Sequence, residues 1–269
     1  MVMIFTIFGS TGFIGKNLVN YLKDQEIEIK TPDIRHDDIT NIDLGNIIYA
    51  IGEPTQNGTI DNFTKSHLEH LNHILCNATF DSFLYCSATI VYSNSTTTFE
   101  DSLLCTNSID SQNLYANLKI LGESICLSYN NPKIKIVRLS NVTGNNPTSN
   151  LFLPSIIRDA INKKNIHLFT TLESEKDYVL IDDVVKLLPK ISIDGKFQIY
   201  NVASGTNITN KELTSLIQKI TKCTLSISDD AFNYSFPKID ISRIIDEFDF
   251  NPQLILPYLK ELVNNYQIK

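Results

Sequence analysis

The chain has 269 residues, 42% of them hydrophobic and 20% charged, which is the composition of a globular protein with room for one sizeable core or a large unit plus a smaller lobe. A formal net charge of −7 with no block of basic residues argues against a nucleic-acid partner. No apolar run reaches the ~20 residues of a membrane span, and the N-terminus enters a strand pattern without the basic region and cleavage site of a signal peptide, so a cytoplasmic chain with no membrane partner is expected.

The first element is the apolar run Met3 to Phe8, followed by Gly9-Ser10-Thr11-Gly12-Phe13-Ile14-Gly15 and then by Leu18, Val19, Tyr21 and Leu22 at helical spacing. Strand, glycine turn and helix in that order predict a dinucleotide site. Gly9 permits the tight turn, Gly12 lets backbone approach a pyrophosphate, and Gly15 lets the helix pack against the strand. The helix N-terminus offers N–H groups and a positive dipole end to phosphate.

A second strand is expected over Glu26 to Thr31. Asp33, just past it, stands where an acidic group accepts ribose hydroxyls and so favours NAD. Arg35 suits a 2′-phosphate and favours NADP, and the choice stays open. Asp38-Ile39 is expected in a loop passing the adenine ring. The strand Asn46 to Gly52 arrives so soon that the usual intervening strand and helix must be cut short, and it brings Ala50 and Gly52 to the cofactor. A helix over residues 61–78 carries Phe63, Leu68, Leu71, Ile74 and Leu75 on one face. His67, His70 and His73 share it, but a zinc site needs further ligands, so these read as a solvated or packed face and no metal is expected.

Strand Ser82 to Ser87 runs into Ala88-Thr89-Ile90-Val91-Tyr92, then a polar loop, a helix opening near Ser111 and reaching about Tyr129, and a strand from Lys133 to Leu139. Beyond it come a helix over 151–162, a short strand at 167–171, a new element from Tyr178, a strand over 197–202, and a helix over 210–221 capped by Thr209 or Asn210. Short helices broken by Pro252 and Pro257 close the chain. Alternating strands and helices predict an α/β fold, a Rossmann-type doubly wound parallel sheet with a small C-terminal substrate-binding lobe. Residues 1–145 are expected to form the dinucleotide-binding domain and 146–269 mainly the lobe, with 177–202 returning to the sheet. The five cysteines are widely spaced and odd in number, without zinc-ligand or redox-motif spacing, which fits reduced thiols.

Tyr115 and Lys119 lie four apart on one helix and so share a face. An ammonium beside a phenol favours phenolate, which is expected to lower the Tyr115 pKa and make it an acid/base near neutral pH.

The glycine fingerprint, the segment ending in Val91-Tyr92, and Tyr115-x-x-x-Lys119 together resemble the extended short-chain dehydrogenases/reductases, in their NAD-dependent epimerase/dehydratase branch acting on nucleotide sugars. The resemblance continues through Arg138 to Gly144, Lys176-Asp177-Tyr178-Val179, Asp182-Asp183-Val184 and Tyr200 to Gly205, so it covers nearly the whole chain. It implies that Tyr115 is the acid/base on a sugar hydroxyl or carbonyl, that Lys119 holds the nicotinamide ribose, and that Asn141 and Lys176 lie near the substrate diphosphate, with Tyr92 also on the substrate. Lys176 stands where the family usually has Arg. The family's third catalytic hydroxyl falls on Ala88, so Thr89 or Ser87 must replace it. Sugar 4,6-dehydratases carry acids just before the Val-Tyr pair; Thr89 and Ile90 stand there, which disfavours dehydration. What remains is 4-epimerisation or 4-keto reduction with NAD or NADP, in surface-polysaccharide sugar synthesis by family analogy. Ala88 and Lys176 also motivate an alternative, a dinucleotide sensor with a degraded site. Surplus apolar positions on the Tyr115 helix, among them Leu121 and Ile125, point to a homodimer.

Overall fold

The computed structural model describes residues 3–52, 59–110 and 113–267. β1 (Ile4–Phe8) is almost wholly buried, as suits an apolar central strand covered on both faces. It leads into α1 (Phe13–Asp24), then β2 (Glu28–Lys30) and β3 (Asn46–Tyr49). α2 (Ile60–Thr64), a π-helical turn (Lys65–Glu69) and α3 (His70–Asn77) form one continuous helical rod. β4 (Ser82–Ala88), a 3₁₀ turn (Thr89–Tyr92), α4 (Leu114–Ser128) and β5 (Ile134–Leu139) follow. α4 is first described from Asn113; Ser111, where the helix was expected to open, lies outside the described residues.

The remaining elements are β6 (Asn141–Thr143), α5 (Phe152–Asn162), β7 (Asn165–Thr170), β8 (Glu175–Leu180), α6 (Ile181–Asp194), β9 (Ile199–Val202), β10 (Asn207–Thr209), α7 (Asn210–Thr221), β11 (Thr224–Phe232), α8 (Ser242–Phe248) and α9 (Ile255–Gln267). Six strands make one parallel sheet in the order β2-β1-β3-β4-β5-β9. Only β2 lies beyond β1, which is the shortening expected from the brief Asp33 to Asn46 connection. The chain reverses direction across the sheet between β1 and β3, the crevice where open α/β sheets bind ligands.

α1 and α6 pack one face of the sheet, with Leu18, Leu22, Val184 and Leu188 against Ile7, Ile48, Leu84 and Val137. α3 and α4 cover the other, where Leu71, Ile74 and Cys126 meet Ile47, Phe83, Tyr85 and Ile136. A second core joins α5, α7 and α9 to β7 and β8 through Leu153, Ile157, Leu213, Ile217, Leu259 and Leu262. α7 begins at Thr209 with a full capping box, Thr209 accepting from the Glu212 N–H while the Glu212 carboxylate accepts from the Thr209 N–H, a device worth about 1 kcal/mol.

Two expectations about the tail need correction. Pro257 does not break the last helix; it occupies the first turn of α9, where the missing N–H has no helical partner in any case. β11 was not expected, because Ser226, Ser228, Asp229 and Asp230 lower its strand propensity; pairing with β7 overrides that.

Between α4 and β5 a charge pair is sealed from water. Arg138 and Glu123 are 3% and 4% exposed at their side chains and 2.7 Å apart, with a second contact from Arg138 Nε to Glu123 Oε1 at 3.0 Å. Arg138 Nη1 also donates to Tyr92 Oη at 2.6 Å and to the Glu100 carbonyl at 3.0 Å. Removing one member leaves the other as an uncompensated buried charge. Glu123→Leu is therefore expected to cost about 3–5 kcal/mol in urea unfolding; a loss below about 1 kcal/mol, the scale of an exposed pair, contradicts this account of how α4 is held.

Candidate active site

The glycine turn has the backbone that its sequence demands. Gly9 sits at φ +87°, and a Cβ there would lie 2.8 Å from the Ala50 carbonyl carbon on β3's extension. A Cβ on Gly15 would overlap the Gly9 carbonyl. These contacts bring β1, α1 and the end of β3 to one point, with Ser10, Thr11, Phe13 and Ile14 around the turn. Gly12 is the N-cap of α1 and no side chain caps it, so the first-turn N–H groups, which have no helical partner, face the crevice beside Ala50. The cradle fits a dinucleotide pyrophosphate: bare glycine surface, a helix N-terminus and a switch point coincide.

Tyr115 and Lys119 rise from the N-terminal half of α4. Lys119 is buried, and its Nζ donates to the Cys86 carbonyl on β4 at 2.8 Å while standing 5.8 Å from the Tyr115 ring centre. The same Nζ is 3.5 Å from where a Cβ on Gly52 would lie, so α4 meets the end of the β3 segment here. Burial brings the Lys119 amine down to about 8. The expected lowering of Tyr115 is not found: burial pushes its phenol up to about 12. The physical reason is that desolvation disfavours the phenolate, and the Cys86 thiol beside it acts in the same direction.

The candidate hydroxyls separate. Ser87 Oγ donates to Glu123 Oε1 at 2.5 Å and is buried beside the Arg138 pair. Tyr92 Oη accepts from Arg138 and donates to Asn201 Oδ1 at 2.9 Å. Both hydroxyls are engaged within the protein; strand alternation on β4 turns Ser87 toward α4, and the 3₁₀ turn rolls Tyr92 into the same network. Thr89, first residue of that turn, is also buried, and it remains the candidate hydroxyl.

At the end of β2, Asp33 and Arg35 hold each other. Arg35 Nε and Nη2 reach the two Asp33 carboxylate oxygens at 2.8 and 2.7 Å, and this contact holds Asp33 well below the usual carboxylate range. Asp38 accepts from the Thr40 N–H at 2.8 Å. It lines a groove of about 620 Å³ with Lys30, Pro32, Asp37 and Ile42, while Ile39 is buried beneath it with Leu44 and Ile47.

β6 pairs with β8, which sets Asn141 opposite Tyr178, two residues along the strand from Lys176. Asn141 Nδ2 donates to the Asp177 carbonyl at 2.7 Å. Lys176 Nζ lies 5.0 Å from the Phe152 ring centre and 5.1 Å from that of Tyr234, and burial lowers its pKa. Between them the buried Asp177 carboxylate accepts from Ser140, Ser204 and Thr206, tying β8 to the turns after β5 and β9.

The three histidines part company. His70 is half-buried, and His73 is exposed and lies 3.2 Å from the Asn77 amide. His67 is fully buried, with its ring edge on Tyr115 at a centroid distance of 5.6 Å and 79°. Of the solvated or packed face expected for the three, His67 takes the packed form: it sits four residues from both Phe63 and Leu71 on the apolar stripe, a position that turns inward.

The profile of the NAD dependent epimerase/dehydratase family matches residues 54–203. No curated protein sequence matches the chain. Among solved structures it is similar to RMD from Pseudomonas aeruginosa, complexed with NADPH, at 17% identity and a TM-score of 0.81, covering 99% of this chain and 100% of that one. The UDP-glucuronic acid 4-epimerase from Bacillus cereus, in complex with UDP-glucuronic acid and NAD, gives 18%, 0.77, 98% and 99%. The dTDP-glucose 4,6-dehydratase from Bacillus anthracis, in complex with NAD, gives 17%, 0.75, 98% and 96%. At these identities the likeness establishes the α/β fold with its parallel sheet.

The two shifted groups have opposite effects on stability. The amine of Lys119 has a folded pKa of about 8 against an ordinary 10.5, so between those values the unfolded chain holds the extra proton and stability rises with pH. The Tyr115 phenol, about 12 against 10.0, contributes a fall between pH 10 and 12. Urea unfolding of wild type and Lys119→Met from about pH 7.5 to about pH 9.5 is expected to show a rise that the variant lacks; parallel curves contradict a buried, easily deprotonated amine.

Proposed function

Since the chain belongs to the NAD dependent epimerase/dehydratase family, we propose that it acts on a nucleotide sugar as a 4-epimerase or 4-keto reductase, with Tyr115 as the acid/base. The observation that carries this reading is the place of Lys119, whose Nζ stands beside Gly52 and 5.8 Å from the Tyr115 ring centre. The dinucleotide, when bound across the Gly9 to Gly15 turn, supplies the hydride acceptor and donor. Asp33 and Arg35 are the groups that tell NAD from NADP, Asp33 by accepting ribose hydroxyls and Arg35 by holding a 2′-phosphate.

The chain's own groups do the rest. Tyr115 moves a proton at the sugar C4 oxygen. A phenol held neutral is the donating form, which serves protonation of a 4-keto oxygen directly. Taking a proton from a 4-hydroxyl requires the phenolate, and Lys119 is the cation placed to favour it. Thr89 is the hydroxyl assigned to orient that oxygen. Asn141 and Lys176 face the substrate diphosphate; an ammonium between two aromatic rings binds it as a point charge rather than by the fork of an arginine. Thr89 and Ile90 provide no acid, so the reading disfavours water elimination by the dehydratase route.

The same reading places the protein in the cytoplasm, in surface-polysaccharide sugar synthesis, as a homodimer joined through α4, where Leu121 is 47% exposed. Among the described residues no helix is long and apolar enough to cross a membrane.

Tyr115→Phe is expected to lower turnover of UDP- and dTDP-hexose probes by about 10²–10⁴-fold, with NADH affinity, followed by its fluorescence, within about twofold of wild type. Unchanged turnover overturns the acid/base assignment. Light scattering at micromolar protein checks the dimer, and a monomeric mass contradicts it.

A further inference from the structure

The rod formed by α2 and α3 is interrupted by one π-helical turn, and the interruption aims a side chain. The His70 N–H reaches back five residues to the Lys65 carbonyl, so the Ser66 carbonyl loses its helical donor. Tyr49 on β3 supplies the replacement, its hydroxyl donating to the Ser66 carbonyl at 2.5 Å. A buried carbonyl needs a partner, and π-turns inside helices tend to mark functional positions. Here the turn is pinned to the central sheet by a hydroxyl whose own strand leads to Gly52.

The side chain carried inward is His67. It is 0% exposed, and its Cε1 lies 3.4 Å from the position of a Cβ on Gly52, beside Lys119 Nζ at 3.5 Å from the same point. Its ring meets Tyr115 edge-on, the arrangement that aromatic quadrupoles favour. His67 and Lys119 thus close around Gly52 from two different helices, with Tyr115 against the His67 ring.

We propose that His67 is a positioning residue for the acid/base, its ring edge fixing the Tyr115 phenol at one orientation, and that the Tyr49 hydroxyl maintains this by locking the π-turn. The proposal rests on the reading of Tyr115 as the acid/base. Displacement of a reacting group by 1 Å costs about 10²-fold in rate, so a ring held on one side only by flexible neighbours is a poor proton-transfer group.

The test uses the full chain labelled with ring-¹³C tyrosine, the Tyr115 signal being identified by its loss in Tyr115→Phe. In His67→Ala the Tyr115 ring is expected to flip about tenfold faster or more, with turnover of hexose-nucleotide probes lowered about tenfold or more and NADH affinity within about twofold. His67→Phe, which keeps a ring edge without the imidazole nitrogens, is expected to restore both. Tyr49→Phe, which removes one hydroxyl and leaves the packing, is expected to speed the flip as His67→Ala does, and it keeps the test open if the alanine variant fails to fold. An unchanged flip rate in His67→Ala and Tyr49→Phe overturns the proposal. Recovery by His67→Asn but not by His67→Phe also overturns it, since the side chain then acts through polar contacts. The flip rate needs no substrate, so it decides the matter even if no nucleotide sugar turns over and the functional reading itself fails.

Discussion

Glu123 and Arg138 meet where water does not reach, and α4 cannot slide or turn without separating them. Four residues before Glu123, on the same side of the helix, is Lys119; four before that is Tyr115. The pair thus sets the height and rotation of both site residues against β4 and β5. It also absorbs Ser87 and, through Arg138, Tyr92 and the Glu100 carbonyl. A buried pair of this kind adds little net stability over an apolar substitute, but breaking it is costly. Its effect here is geometric: one arrangement of α4 on the sheet satisfies every polar group in the network.

The opposite wall of the crevice is made by close backbone approach rather than by charge. Gly9 and Gly15 let α1 and the end of β3 come within contact of the first turn, and a single added Cβ at either position meets backbone. In the later part of the chain Asp177 gathers Ser140, Ser204 and Thr206 and so ties β8, which carries Lys176, to the turns after β5 and β9. Three independent devices hold these parts in place, a glycine turn, a buried ion pair and a buried carboxylate.

The parts legible in the sequence were those whose signal is local. A glycine required by a positive φ, the strand and helix periods, and an N-cap at Thr209 or Asn210 are each written within a few residues. The parts that were not legible depend on distant partners. Strand parity alone leaves Ser87 and Thr89 equivalent; Glu123, thirty-odd residues on, engages Ser87. Tyr115 and Lys119 share a helix face, yet the direction of the phenol's pKa follows from burial and from the Cys86 thiol, neither visible in their spacing. His67, His70 and His73 look alike at three-residue spacing, but His67 shares the apolar stripe of Phe63 and Leu71 and is buried, while His70 is half-buried and His73 exposed. β11 formed against its own propensity because β7 offered an edge.

The most direct test of the account is to denature the purified protein and identify the released dinucleotide by mass spectrometry, adding NADH and NADPH titrations if none is found. The account predicts a dinucleotide at the glycine turn: stoichiometric NAD carried through purification marks an epimerase that recycles it in place and assigns recognition to Asp33, whereas an empty protein preferring NADPH marks a reductase and assigns it to Arg35. A protein that releases nothing and binds neither contradicts the catalytic reading and the reading of Gly9 to Gly15 together.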